Sequence, residues 1–210
     1  MSSESGQPTR VVAISREHGA GGEQVGALVA QQLGFRYVDD EIVAQAAAKG
    51  NISHAEIADA EKRRSLALRL IEQIGRASTP AYAAPMAANQ AATEQYQDLI
   101  REVVVETAAQ GSAVIVAHAA SIALADRDDV LRVLVVAPPK VRAERIASDG
   151  AVGPEEAAKI VKSSDADRRS YFKRFYGISE EPTNYDLVVN TGGIGLERAA
   201  GVVASAASSS

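Results

Sequence analysis

Val11-Val12-Ala13-Ile14-Ser15-Arg16-Glu17-His18-Gly19-Ala20-Gly21-Gly22-Glu23-Gln24-Val25 runs from an unbroken apolar stretch through a glycine-rich turn into a helical pattern. Apolar residues in a row, without polar alternation, suit a strand covered on both faces, as in a parallel sheet. Past the turn, Val25, Leu28, Val29 and Leu33 recur at helical spacing, and Gly34 stops the helix. Strand, glycine turn and helix in that order can receive an anion. Glycines let main-chain amides approach it, and the helix start adds unpaired N–H groups and the positive end of its dipole. A tight turn with no ligand is the plainer alternative.

The pattern repeats outward. Further Val- and Ile-rich runs lie at Ala113 to Val116, Val130 to Ala137 and Leu187 to Val189, with a weaker one at Phe35 to Val38. With Val11 to Ile14 they give five strands. Their alternation with helical stretches predicts an α/β fold, a parallel sheet with helices on both sides. Apolar stripes at Leu66, Leu70, Ile71, Ile74 and at Tyr96, Leu99, Ile100, Val103, Val104 fall between the second and third strands. That interval, about 40–111, is far longer than one crossover helix needs, and is expected to be a helical insertion. Residues 77–92, with Pro80, Pro85 and many alanines, read as a loop or hinge inside it. A disordered tail is expected over 1–10, a single domain over 11–204, and a frayed tail over 205–210. There is no internal repeat.

Composition narrows the function. The 210 residues include no cysteine, so a disulfide scaffold, a cysteine nucleophile and thiolate metal sites are excluded. Tryptophan is absent and aromatics make up 4%, which speaks against base-stacking platforms. The three histidines, His18, His54 and His118, are scattered and show no zinc spacing. A net charge of −5 disfavours nucleic acid and anionic membranes as partners. No apolar run reaches spanning length, and Met1 to Thr9 is polar, so a soluble cytoplasmic protein is expected. Charge is uneven, however. From Arg132 to Arg174 basic residues exceed acidic ones by four. That stretch suits a small polyanion, or it is a solvated helical face.

The turn departs from the usual phosphate-loop pattern G-x-x-x-x-G-K-[ST]. Aligned on Gly21, Arg16 takes the first glycine position and Gly22 the lysine position. Glu23 or Gln24 stands where a Mg²⁺-binding hydroxyl is usual. Even so, Ile14 to Gly22 followed by Tyr37-Val38-Asp39-Asp40-Glu41-Ile42 resembles the cytidylate kinase-like family, with its lysine-free S-R-E-x-G-[SA]-G-G loop. Val141 to Arg145, Asp165 to Tyr171 and Tyr185 to Thr191 are similar to two arginine segments of that family's lid and to its last strand. The resemblance spans roughly Val11 to Val203. Where the family often has Gly-Arg-Gly after the third strand, this chain has Ala117-His118-Ala119, which removes an arginine suited to acceptor phosphate. His118 is read as a packed strand-end residue or, if protonated, a phosphate contact.

The resemblance implies a P-loop kinase-like three-layer α/β/α fold with a five-stranded parallel sheet, a helical acceptor-binding insertion and a lid at about 139–178. It implies an NTP donor (ATP or another NTP), Mg²⁺, and a nucleotide or related small acceptor. Gly19, Ala20, Gly21, Gly22, Glu23 and Gln24 would cradle donor phosphates. Arg16 would replace the missing lysine, or simply pair with Glu17. Asp39 would serve catalysis near Mg²⁺ or the acceptor, or else cap the helix starting at Asp40. Arg142 and Arg145 would reach the donor, and Arg168 and Arg169 would close over the transferring group; the alternative for each arginine is a surface ion pair. Two other readings stand beside the kinase. One is a nucleotide- or phosphate-binding regulatory protein that lost transfer. The other is a structural protein whose insertion forms a dimer face. Oligomeric state is open.

Overall fold

The computed structural model describes residues 9–39, 101–117, 119–149 and 152–209. The chain divides into two compact units, one formed by Met1–Asp39 with Val104–Ser210 and the other by Asp40–Val103. The sequence reading placed one domain over 11–204. The expected insertion falls mostly on the second unit, which lies outside the described residues except for helical residues 101–103. Asp40, His54, His118 and the 77–92 hinge also lie outside them.

The first unit is built on five parallel strands: β1 (Val11–Arg16), β2 (Arg36–Val38), β3 (Ala113–Val116), β4 (Val130–Val136) and β5 (Leu187–Asn190). Their order is β2-β3-β1-β4-β5. The central strand is β1, with Ile14 beside Val116 on one side and Val133 on the other. Val11 to Ser15 are fully buried, which explains the missing polar alternation. Strand order reverses around β1, and at such a reversal open α/β sheets take ligands outside the strands' carboxyl ends.

Among the described residues, the helices with both ends described are α1 (Gly22–Leu33), α2 (Ala120–Ala123), α3 (Pro139–Ser148), α4 (Pro154–Tyr176), α5 (Thr191–Ile194) and α6 (Leu196–Ser208). Val25 and Val29 of α1 and Ala199, Ala200 and Val203 of α6 cover one sheet face, over Val12, Ile14, Val114, Val116, Val133 and Val135. Each fully buried valine in this layer contributes roughly 1.5–3 kcal/mol. On the other face α2 docks through Ser121, whose hydroxyl donates to the Ala13 carbonyl (3.1 Å) and accepts from Ser15 Oγ (3.2 Å).

The arginine-bearing helices have clear boundaries. Both α3 and α4 begin with proline, whose missing N–H is no loss there. In α4, Glu155 and Glu156 sit in the first turn and Lys173 and Arg174 in the last, matching the helix dipole, and Gly177 ends it in a left-handed conformation (φ 66°). The frayed tail expected from Ser205 is corrected: α6 continues through Ser208. Ala204 and Ala207 are buried, and Ser208 Oγ donates to the Ala204 carbonyl (2.9 Å). The disordered tail expected over 1–10 is corrected at Arg10, whose amide donates to the Asp129 carbonyl (2.9 Å).

Candidate phosphate-binding site

The turn after β1 keeps its shape through two left-handed glycines, Gly19 (φ 78°) and Gly21 (φ 80°). At this φ a side chain is strained. Space is also closed: a Cβ on Gly21 would lie 2.4 Å from Leu196 Cδ2, and one on Gly19 would lie 2.9 Å from the Arg142 carbonyl. The Ala20 amide donates to the Glu17 carbonyl (3.0 Å), closing the turn. Among the described residues, the amides of Gly19, Gly21, Gly22 and Gln24 meet no acceptor. Those from Gly22 onward are the unpaired N–H groups of a helix start.

Arg16 lies against this turn. Its Cβ and Cδ are 2.5 and 2.7 Å from where a Gly22 Cβ would stand, so only glycine leaves room for it there. Its Nε donates to Glu23, not to Glu17 as the plainer reading had it. Nη1 of Arg16 is the one buried side-chain polar atom without a hydrogen-bond partner among the described residues. A buried guanidinium N–H costs free energy until an acceptor reaches it. Unpaired amides beside an unpaired arginine N–H form a donor set that fits phosphate oxygens.

The other arginines are built into the wall. Arg142 is 1% exposed, and its fork meets both oxygens of Asp165 (2.8 Å each) while Nε donates to the Ala137 carbonyl (3.0 Å). It also lies 3.4 Å from Glu17, whose carboxylate accepts from the Ala137 amide (3.2 Å). Burial raises the Glu17 pKa above the ordinary carboxylate range, with Arg142 pulling the other way. Arg145 donates from Nη1 to the Ala20 carbonyl (2.9 Å) and Thr191 Oγ1 (2.8 Å). Arg168 donates through Nε to Glu180 (2.7 Å) and through Nη1 to the Arg16 carbonyl (2.8 Å), and lies 5.0 Å over the Phe172 ring. Arg142 and Arg168 are therefore buried rather than surface pairs. Arg169, one position on and about 100° around the helix, is exposed and apart from the group.

Asp39 follows β2 and accepts from the Tyr37 hydroxyl (3.2 Å). Burial, then the Asp39 carboxylate, raises the Tyr37 pKa, and Glu23 and Arg16 also act on it. Asp39 thus belongs to the same electrostatic neighbourhood as the turn. Among the described residues no three acids or histidines cluster as a metal site. Mg²⁺ carried on phosphate needs only one or two carboxylates and keeps several waters, so Asp39 fits that lesser role.

Sequence reasoning missed Thr191, Glu180, Asp165 and Tyr185. Thr191 Oγ1 donates to the Ala20 carbonyl (2.7 Å) and holds the turn from the far end of the chain. Tyr185 donates to Glu180, and burial followed by that carboxylate raises its pKa. Asp165 was legible only as the start of an arginine segment.

The fold is that of a P-loop kinase-like α/β protein. The solved structures of shikimate kinase from Bacteroides thetaiotaomicron (TM-score 0.53, 14% identity, 93% of this chain and 96% of that one) and TT1252 from Thermus thermophilus (0.54, 20%, 95% and 98%) share this architecture. So does an uncharacterized protein from Eubacterium ventriosum ATCC 27560 (TM-score 0.67, 16%, 96% and 100%). The chain itself belongs to the cytidylate kinase-like family, whose model matches residues 11–193. No curated protein matches it. No helix among the described residues is long and apolar enough to cross a membrane.

Proposed function

We propose that this chain is a phosphotransferase that moves a phosphoryl group from an NTP, ATP in the first instance, to a nucleotide or related small acceptor. One observation carries the reading: the unpartnered Arg16 Nη1 beside the unpaired amides of Gly19, Gly21, Gly22 and Gln24. Family membership and the turn's place at the carboxyl end of the central strand support it. The donor supplies the transferable group, and Mg²⁺ neutralises its oxygens when bound. The chain's own part is positioning. The amides and Arg16 would hold phosphate oxygens with donors fixed in advance, and a guanidinium fork suits them. Arg142, Arg145 and Arg168 would keep the turn in shape, Asp39 would face the metal or the acceptor, and exposed Arg169 is the lid arginine left to move. The excess of basic over acidic residues from Arg132 to Arg174, on a chain of net charge −5, favours a small polyanion as partner over nucleic acid or an anionic membrane.

A second reading, a phosphate-binding regulatory protein, is favoured by the wall arginines. Arg142, Arg145 and Arg168 spend their donors on protein, leaving few cations for a transition state. Thermal-shift titration with nucleoside mono- and triphosphates plus Mg²⁺, followed by coupled ADP release over a panel of acceptors, decides between them. Saturation at 100 times Kd adds about 2.7 kcal/mol, a rise of roughly 5–10 °C in Tm. Binding with ADP release supports the kinase, and binding without release supports the regulator. No shift with any nucleotide rejects both.

A further inference from the structure

We propose that Glu23 is an internal counter-ion that holds Arg16 until a ligand's phosphate displaces it, so that Glu23 sets how tightly the turn takes polyphosphate. This rests on the phosphate-site reading above.

Glu23 and a phosphate compete for the same two attractions. The first is Arg16, whose Nε the carboxylate takes. The second is the positive end of the α1 dipole, since Glu23 lies in the first turn of that helix. The pairing is incomplete, because Nη1 of the same guanidinium stays buried and without a partner. A phosphate presents several oxygens, so it can meet Nε and Nη1 together while other oxygens accept from the amides. Exposure decides which partner yields. The Arg16 side chain is 14% exposed and wedged against Gly22, whereas that of Glu23 is 46% exposed. The carboxylate can turn into water at small cost, and the guanidinium has nowhere to go. Ligand binding is then a partner exchange at Arg16.

An acid that merely repels an incoming anion would also weaken binding. The two cases separate when Arg16 is removed, because repulsion persists in full without the arginine and competition for the arginine does not. The test is calorimetric titration of the full chain with sodium tripolyphosphate, using wild type, Glu23→Gln, Arg16→Gln and the double variant. Glu23→Ala serves as a second removal of the charge. Circular dichroism checks that each variant is folded. The expected result is about three- to tenfold tighter binding on removing Glu23 when Arg16 is present, the range of one charged hydrogen bond at a partly exposed site. In the Arg16→Gln background the same change should tighten binding clearly less, because only the competition for the helix start is left. Unchanged affinity in Glu23→Gln, or equal tightening in both backgrounds, overturns the counter-ion role while leaving the phosphate site standing. No binding of tripolyphosphate by wild type or any variant removes the site itself, and the counter-ion role with it.

Discussion

Arg142→Ala tests whether the arginines of α3 and α4 are structural. The side chain is almost wholly buried, and its loss strands the Asp165 carboxylate, the Ala137 carbonyl and the Glu17 carboxylate. Removing one partner of a buried ion pair costs about 3–5 kcal/mol. Asp165 and Glu17 keep 26% and 29% side-chain exposure, so water recovers part of that and the expected loss is about 3 kcal/mol. In a chain of this length that is a fall of roughly 6–12 °C in Tm. Arg142→Lys should recover no more than about half, since one ammonium cannot span both Asp165 oxygens. Urea unfolding at pH 7, with thermal melts as a second probe, reads the effect. A loss under about 1 kcal/mol for Arg142→Ala would show that its bonds are incidental, and the rigid wall around the turn would have to be abandoned.

Other expectations follow from the same geometry. Gly22→Ala should push Arg16 aside and weaken tripolyphosphate binding at least about tenfold by calorimetry, because a Cβ there has no space beside the Arg16 stem. Gly34→Ala, at φ 67° with nothing within 4 Å, should cost about 1 kcal/mol of stability and leave binding alone. Glu17 has a raised pKa, so its contribution is most favourable below its ordinary 4.5 and declines as pH rises through the higher folded value; Glu17→Gln should flatten that decline in urea titrations from pH 4 to 7. Asp129 has the opposite sign. Its hydrogen bonds from Arg127 hold its pKa below 3.8, giving stability that is present above 3.8 and lost as pH falls through the lower folded value. Asp129→Asn should remove that acid-side loss.

The sequence made the frame legible because buried parallel strands leave a direct trace. Val11 to Ile14 and Ala113 to Val116 have no polar alternation, and both lie inside the sheet. The glycine turn was legible for the same kind of reason, since Gly19 and Gly21 mark backbone that few other residues adopt. What the arginines touch was not. Helical spacing places Arg142 and Arg145 on one face, but it says nothing of Asp165, 23 residues further on, or of Thr191. Arg168 and Arg169 could have been told apart, because neighbours on a helix point about 100° away from each other. The serine-rich end was misread because composition hid the alanines at 204 and 207 that pack it down.

The support beneath Ala20 has a consequence for biosynthesis. Its carbonyl is held by a hydroxyl 171 positions later, and Gly21 rests on Leu196 just beyond. While the ribosome is still adding that stretch, the nascent polypeptide has its glycine turn and Arg145 but lacks the Thr191 hydroxyl and the Leu196 side chain. The turn is therefore completed late, and a product cut short before residue 191 would carry the motif without the hydroxyl that holds Ala20.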